Sequence, residues 1–173
     1  ASGDLAVQFS TGRGTNPFDV AAGDLDGDGH PELIAADMAA RAVSVLRALG
    51  PREYSRVALV PIGLQPKRVF IGELDARKGL DIVALSPAEA MVAVLANRGD
   101  GSFGLPAAAG LPFGVRSMGL ADLDGDGRAE IAVAGDRLAV LRLGEDGKPV
   151  VAEEVRLPRS ALSIASGDFD GDG

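Results

Sequence analysis

The sequence predicts an all-β protein, a β-propeller of four-stranded blades of which about 3.6 fall within the 173 residues. An acidic, glycine-rich decapeptide occurs twice, as GDLDGDGHPE at Gly23–Glu32 and ADLDGDGRAE at Ala121–Glu130. The first acids of successive loops follow at steps of 49, 49 and 46 residues: Asp24, Glu73, Asp122 and Asp168. Four short apolar runs fit between one loop and the next, and four strands per repeat of this length are typical of propeller blades.

The period divides the chain, which we interpret as one propeller over residues 1–173, into repeats. Three full repeats cover residues 16–64, 65–114 and 115–159, and partial repeats occupy 1–15 and 160–173. Because residues 160–173 stop inside a loop, the chain is expected to form part of a larger propeller or to assemble with other copies.

The third repeat shows the four strands most clearly. The runs SMGLA, EIAVAG, RLAVLRL and VVAEEVRL are separated by the acidic loop and by two turns, at Gly135-Asp136 and Asp146-Gly147. Glycine and aspartate at such positions are typical of β-hairpins.

The corresponding segments of the first two repeats, AARAVSVLRALG and AEAMVAVLANRG, are rich in alanine and leucine and would also suit short helices. Only eight residues separate Gly135 from Gly144 in the third repeat, which suits one strand better than a helix. Since repeats share a fold, we predict a strand in all three.

Composition excludes several functions. The formal net charge of −8 argues against a nucleic-acid partner. No apolar run approaches the roughly 18 residues that cross a bilayer, so we expect no membrane insertion. The chain has no cysteine, which excludes thiol catalysis and cysteine-ligated zinc.

The two intact loops predict calcium sites. Aspartates at loop positions 1, 3 and 5 direct three carboxylates towards one point, and glycines allow the tight turn around an ion. Several hard oxygen donors on a flexible loop suit Ca²⁺. The EF-hand pattern fails, because position 12 is Ala35 in one loop and Val133 in the other. An acid occurs instead at position 9, as Glu32 and Glu130, where a strand begins.

Two other copies depart from this pattern. The middle loop, Glu73–Asp81, has Arg77 where the others have their third aspartate, so we expect no metal there. A third calcium site is truncated at the C-terminus, where only its first three carboxylates are present: Asp168, Asp170 and Asp172.

The pattern D-x-D-G-D-G-x-x-E, followed by LIAAD or IAVAG, resembles the FG-GAP/VCBS repeats of integrin α-subunit-like β-propellers. GDGSFG at Gly99–Gly104 is similar to the Phe-Gly end of that repeat. The resemblance implies a propeller, commonly seven-bladed, with Ca²⁺ in the loop that joins the first two strands of a blade.

The resemblance also implies ligands. Side chains at positions 1, 3, 5 and 9 and the backbone carbonyl at position 7 would bind the ion. The first site would use Asp24, Asp26, Asp28, the His30 carbonyl and Glu32; the second would use Asp122, Asp124, Asp126, the Arg128 carbonyl and Glu130. The family usually has aspartate at position 9, so the longer glutamate is expected to shift its contact or bind through water.

Three functions compete. We favour a non-catalytic, calcium-stabilised scaffold for adhesion or assembly, located outside the cytoplasm: extracellular, at the cell surface or periplasmic. A lectin-like carbohydrate-binding propeller is opposed by the absence of tryptophan and by only 4% aromatic residues. The propeller of a polysaccharide lyase is opposed by the lack of a nucleophile motif and by a single histidine. The partner, whether protein or glycan, stays open.

Overall fold

The computed structural model describes residues 16–50 and 53–167, and these form an all-β structure with twelve strands and no helix. The strands are β1 Pro17–Gly23, β2 Glu32–Asp37, β3 Ala42–Gly50, β4 Glu53–Pro61, β5 Arg68–Gly72, β6 Asp81–Ser86, β7 Met91–Leu95, β8 Ala107–Gly110, β9 Val115–Ala121, β10 Glu130–Gly135, β11 Arg137–Leu143 and β12 Pro149–Arg156.

The strands form three four-stranded sheets, each antiparallel and each following chain order. We call them blade 1 (β1–β4), blade 2 (β5–β8) and blade 3 (β9–β12). In every blade the acidic loop joins the first strand to the second. The predicted all-β architecture of four-stranded units is confirmed.

The two segments that also suited helices are strands. The first forms β3 and the second forms β7, and each begins after a tight turn that ends in a left-handed residue, Arg41 (φ 52°) or Ala90 (φ 48°). The strand prediction is therefore confirmed.

Blade 2 is buried on both faces. Ile82 and Ala84 of β6 pack towards blade 1, whereas Val83 and Leu85 pack towards blade 3. Every residue of β6 is buried. This explains the unbroken apolar run of the sequence, because alternation disappears when both sides of a strand are covered.

The core consists of two layers, one on either side of blade 2. The layer shared with blade 1 is a cluster of aliphatic side chains that includes Leu25, Ile34, Val45, Leu64 and Leu95. The layer shared with blade 3 includes Leu74, Val94, Phe113, Met118 and Leu141. The second residues of the first two acidic loops, Leu25 and Leu74, therefore anchor those loops in the core.

Neighbouring blades are also joined by hydrogen bonds near the acidic loops. The Asn97 side-chain nitrogen donates to the carbonyl of Leu25 at 2.8 Å, which links blade 2 to the first loop. The backbone N–H of Ala129 donates to the carbonyl of Glu73 at 2.6 Å, which links the loops of blades 2 and 3. The three loops consequently lie on the same side of the sheets.

Truncation in the middle blade should be costly. We expect Leu85→Ala to reduce the free energy of unfolding by about 2–5 kcal/mol, because it leaves a cavity between blades 2 and 3. Urea denaturation measures the change. The control is Leu105→Ala, whose side chain is 91% exposed and whose loss should stay within about 0.5 kcal/mol. Equal effects of the two substitutions would contradict this packing.

Candidate metal centres

The first loop is organised around Asp24. One carboxylate oxygen accepts the N–H of Gly27 at 2.7 Å, and the other accepts the N–H of Gly29 at 2.9 Å. Both glycines have positive φ, 77° and 86°, a conformation that other residues rarely adopt. These N–H groups, that of Gly29 most strongly, lower the pKa of Asp24. The carboxyl is therefore ionised at neutral pH and suited to a cation.

The other two aspartates of this loop each accept a hydrogen bond from the residue two places on. Asp26 accepts the N–H of Asp28 at 3.2 Å, and Asp28 accepts the N–H of His30 at 2.8 Å. These bonds fold the loop, and one oxygen each of Asp24, Asp26 and Asp28 lie within 4.8 Å of one another. The predicted convergence of three carboxylates occurs here, while the His30 side chain is exposed.

The blade 3 loop repeats this backbone. Gly125 and Gly127 have the same φ values, 77° and 86°, and both donate to Asp122 at 2.8 Å. The converging oxygens here belong to Asp122, Asp124 and Glu130. In this loop the position-9 glutamate joins the cluster and the position-5 aspartate does not.

Asp126 is turned towards Arg128 instead. The Arg128 backbone N–H donates to Asp126 at 2.9 Å, and its guanidinium forms an ion pair with the same carboxylate. The guanidinium is the main reason that the pKa of Asp126 is lowered. Asp126 is therefore held by Arg128 rather than by the converging oxygens of its loop.

The position-9 glutamates are internal links. Glu32 is 2% exposed and Glu130 is 4% exposed. One oxygen of each accepts the N–H of the second loop residue, Leu25 at 3.0 Å and Leu123 at 2.8 Å. The glutamate thus ties the start of the loop to the strand that follows it.

Two arginines that the loop motif does not include bind the other glutamate oxygens. Arg47 of β3 contacts Glu32 at 3.2 Å, and Arg142 of β11 contacts Glu130 at 3.3 Å. Each guanidinium also pairs with the position-3 aspartate, Asp26 in blade 1 and Asp124 in blade 3, the latter at 2.8 Å.

A signal for these arginines was present in the sequence. Both follow the same dipeptide, in VLR of repeats 1 and 3, whereas repeat 2 reads VLA at Ala96. This match lies in the third strand of each repeat, outside the loop motif.

The middle loop has a different construction. Its positions 4 and 6 are Ala76 and Lys78 where the other loops have glycine, and Arg77 pairs loosely with Asp75 at 3.7 Å. The buried Asp81 accepts the N–H groups of Leu74 at 3.1 Å and Asn97 at 2.8 Å. A backbone N–H therefore takes the place that arginine has in the other blades.

The donors of the two intact loops fit a hard divalent cation. Each loop offers three carboxylate oxygens that lie close together on a backbone already folded by its own hydrogen bonds. Oxygen-only donors of this kind suit Ca²⁺. The predicted third site falls outside the described residues, since it comprises Asp168, Asp170 and Asp172.

A family model for the FG-GAP-like repeat matches residues 74–133 and 122–173, which together make up more than half of the sequence. The chain belongs to the FG-GAP-like repeat family. Each match begins at or next to the first residue of an acidic loop and reaches into or beyond the region of the next. No curated protein matches the chain in sequence.

Solved structures confirm the propeller fold. The chain is similar to BBS1N in two crystal structures of its complex with ARL6DN. In the lead-soaked crystal the TM-score is 0.63 at 14% identity, over 91% of this chain and 48% of that one. In the mercury-soaked crystal it is 0.64 at 15% identity, over 91% and 49%.

A protein from Lactobacillus plantarum is similar with a TM-score of 0.56 at 17% identity, over 82% of this chain and 42% of that one. The chain thus spans about half the length of these structures, and the likeness shows the fold alone. Among residues 16–50 and 53–167, no helix is long and apolar enough to cross a membrane.

The link made by Asp81 can be tested. Asp81→Asn keeps the size of the side chain but places an amide N–H₂ donor against one of the two backbone N–H donors, that of Leu74 or that of Asn97. We expect a loss of about 1–3 kcal/mol in unfolding free energy, since a buried N–H is left unpaired. Chemical denaturation measures it, with the more exposed Asp75→Asn as control. An unchanged midpoint for Asp81→Asn would contradict this role.

Proposed function

We propose that this chain is part of a calcium-stabilised β-propeller that serves as a non-catalytic interaction scaffold outside the cytoplasm. The observation that carries the proposal is the repetition of one loop geometry. Blades 1 and 3 have glycines with the same φ values, the same two glycine hydrogen bonds to the position-1 aspartate and a tight group of carboxylate oxygens.

The chain's own residues would divide the work within each site. The position-1 aspartate holds the backbone of the loop and contributes one of the converging oxygens. The other two come from Asp26 and Asp28 in blade 1 and from Asp124 and Glu130 in blade 3. The position-9 glutamate connects the loop to the second strand. Bound calcium would supply the positive charge that relieves repulsion among these carboxylates.

We propose no ion in the middle loop. Arg77 removes the position-5 carboxylate, and the absence of glycine at positions 4 and 6 changes the backbone. Both oxygens of Asp81 are already engaged by buried N–H groups. Blade 2 instead obtains its stability from the core on both of its faces.

A protein partner is supported by the structural neighbours, because BBS1N was crystallised in complex with ARL6DN. A non-catalytic role is supported by the loops themselves. Their carboxylates are occupied in folding the backbone and in pairing with arginines. Hydrolytic metal sites need an open position and a base beside it.

Calcium removal should lower the melting temperature. A ligand at a hundredfold excess over its dissociation constant stabilises the folded state by about 2.7 kcal/mol per site. Chelator should therefore lower the melting temperature by several degrees in calorimetry. Asp26→Ala or Asp124→Ala should each abolish part of the chelator effect.

The matched control is Asp75→Ala. Asp75 occupies the same loop position in blade 2 and is also paired with an arginine, so its loss removes an equivalent charge. We expect the full chelator effect to persist in this variant. A melting curve of the unaltered chain that does not respond to chelator would refute calcium stabilisation.

Calcium affinity tests the location. Calcium sites of extracellular modules have dissociation constants of about 10⁻⁴ to 10⁻³ M, whereas cytosolic sensors and buffers bind more tightly. Titration calorimetry of the full chain should give values in the weaker range. A dissociation constant below about 10⁻⁷ M would contradict an extracytoplasmic role.

A further inference from the structure

The two loops with a full set of carboxylates each make the same contact with an arginine, through the same atoms. In blade 1, Nη2 of Arg47 binds Oδ2 of Asp26 while Nε binds Oε1 of Glu32. In blade 3, Nη2 of Arg142 binds Oδ2 of Asp124 while Nε binds Oε1 of Glu130. In both loops the guanidinium thus bridges the carboxylates at positions 3 and 9.

Blade 2 provides an internal comparison. It lacks the third loop aspartate, and it also lacks the arginine, since Ala96 follows Leu95 where arginine follows leucine in the other blades. Its positive charge lies within the loop, on Arg77. The strand arginine therefore occurs only in those blades whose loops have the full set of carboxylates.

We propose that Arg47 and Arg142 act as internal counter-cations, which hold the two loops together when no calcium is bound and weaken the binding of calcium. This inference rests on the proposed calcium sites. On this inference the strand arginines, together with the loop carboxylates, determine how tightly each loop binds calcium.

Charge and exposure support competition between guanidinium and metal. Asp26 contributes one of the converging oxygens in blade 1, and Asp124 contributes one in blade 3. A metal ion and a guanidinium therefore compete for the same carboxylate. An arginine guanidinium is always protonated at neutral pH, so both side chains keep their positive charge.

Breaking the ion pair between each arginine and its aspartate also costs little free energy. The side chains of Arg47 and Arg142 are 44% and 47% exposed, so each can turn its charge towards water. The Nε contact with the buried glutamate holds the stem of the arginine near the loop. An arginine displaced from the aspartate still repels a divalent ion across a short distance.

The experiment measures calcium binding by titration calorimetry and thermal stability in chelator, on the full chain. Arg47→Gln is studied in an Asp124→Ala background, and Arg142→Gln in an Asp26→Ala background, so that each measurement reports one loop. We expect each glutamine variant to bind calcium about tenfold more tightly than its background. In chelator it should melt at a lower temperature.

Two control variants separate charge from structure. Arg47→Lys and Arg142→Lys retain the positive charge, so affinity should stay within about twofold of the background. Arg137→Gln removes another arginine of β11 that pairs with Glu154, away from the loop. It should leave the calcium affinity unchanged, although the net charge changes by the same amount.

The outcomes distinguish this inference from the proposed function. Calcium binding that is unchanged or weakened by Arg→Gln overturns the inference and leaves the calcium sites standing. Binding that is undetectable in the unaltered chain but appears in the glutamine variants supports the inference and overturns calcium stabilisation. If neither binds calcium, both are refuted. A merely structural arginine would lower the stability without tightening the affinity.

Discussion

The structure depends on one contact of a buried carboxylate that each of the three described blades repeats. A carboxylate at the ninth position of the loop accepts the backbone N–H of the second position, from Glu32 to Leu25, from Asp81 to Leu74 and from Glu130 to Leu123. The leucine side chains of the first two loops enter the core between blades. Buried acceptors of this kind stabilise most when their hydrogen bonds are complete. This contact joins each loop to its strand.

The cost of burying this negative charge must also be offset, and the blades offset it in two ways. Blades 1 and 3 use an arginine from the third strand, whereas blade 2 uses the backbone N–H of Asn97. Burial raises the pKa of Asp81, which pairs with no guanidinium in the described structure. The middle loop, which has fewer acids, therefore needs no arginine from the third strand. The side chain of Asn97 instead donates a hydrogen bond to the carbonyl of Leu25 in the neighbouring blade.

These contacts explain how an acidic chain forms a compact repeat structure. The acids concentrate in loops on one side of the sheets, where hydrogen bonds and guanidinium groups offset their repulsion. The strands behind them are almost free of charge where blades meet. The chain belongs to the FG-GAP-like repeat family, and its fold is similar to that of solved structures of which it spans about half the length.

The sequence by itself determined the repeat, the four strands per blade and the loop aspartates, because these depend on local patterns: spacing, alternation, and glycine at positions of positive φ. Tertiary structure decided the rest. The oxygens that converge differ between the loops, since Arg128 draws Asp126 aside while Glu130 joins the cluster. Arg47 and Arg142 reach the loops only because β3 and β11 pair with the strands that follow those loops. Strand pairing brings together residues distant in the chain, and no local pattern records which charges it makes neighbours.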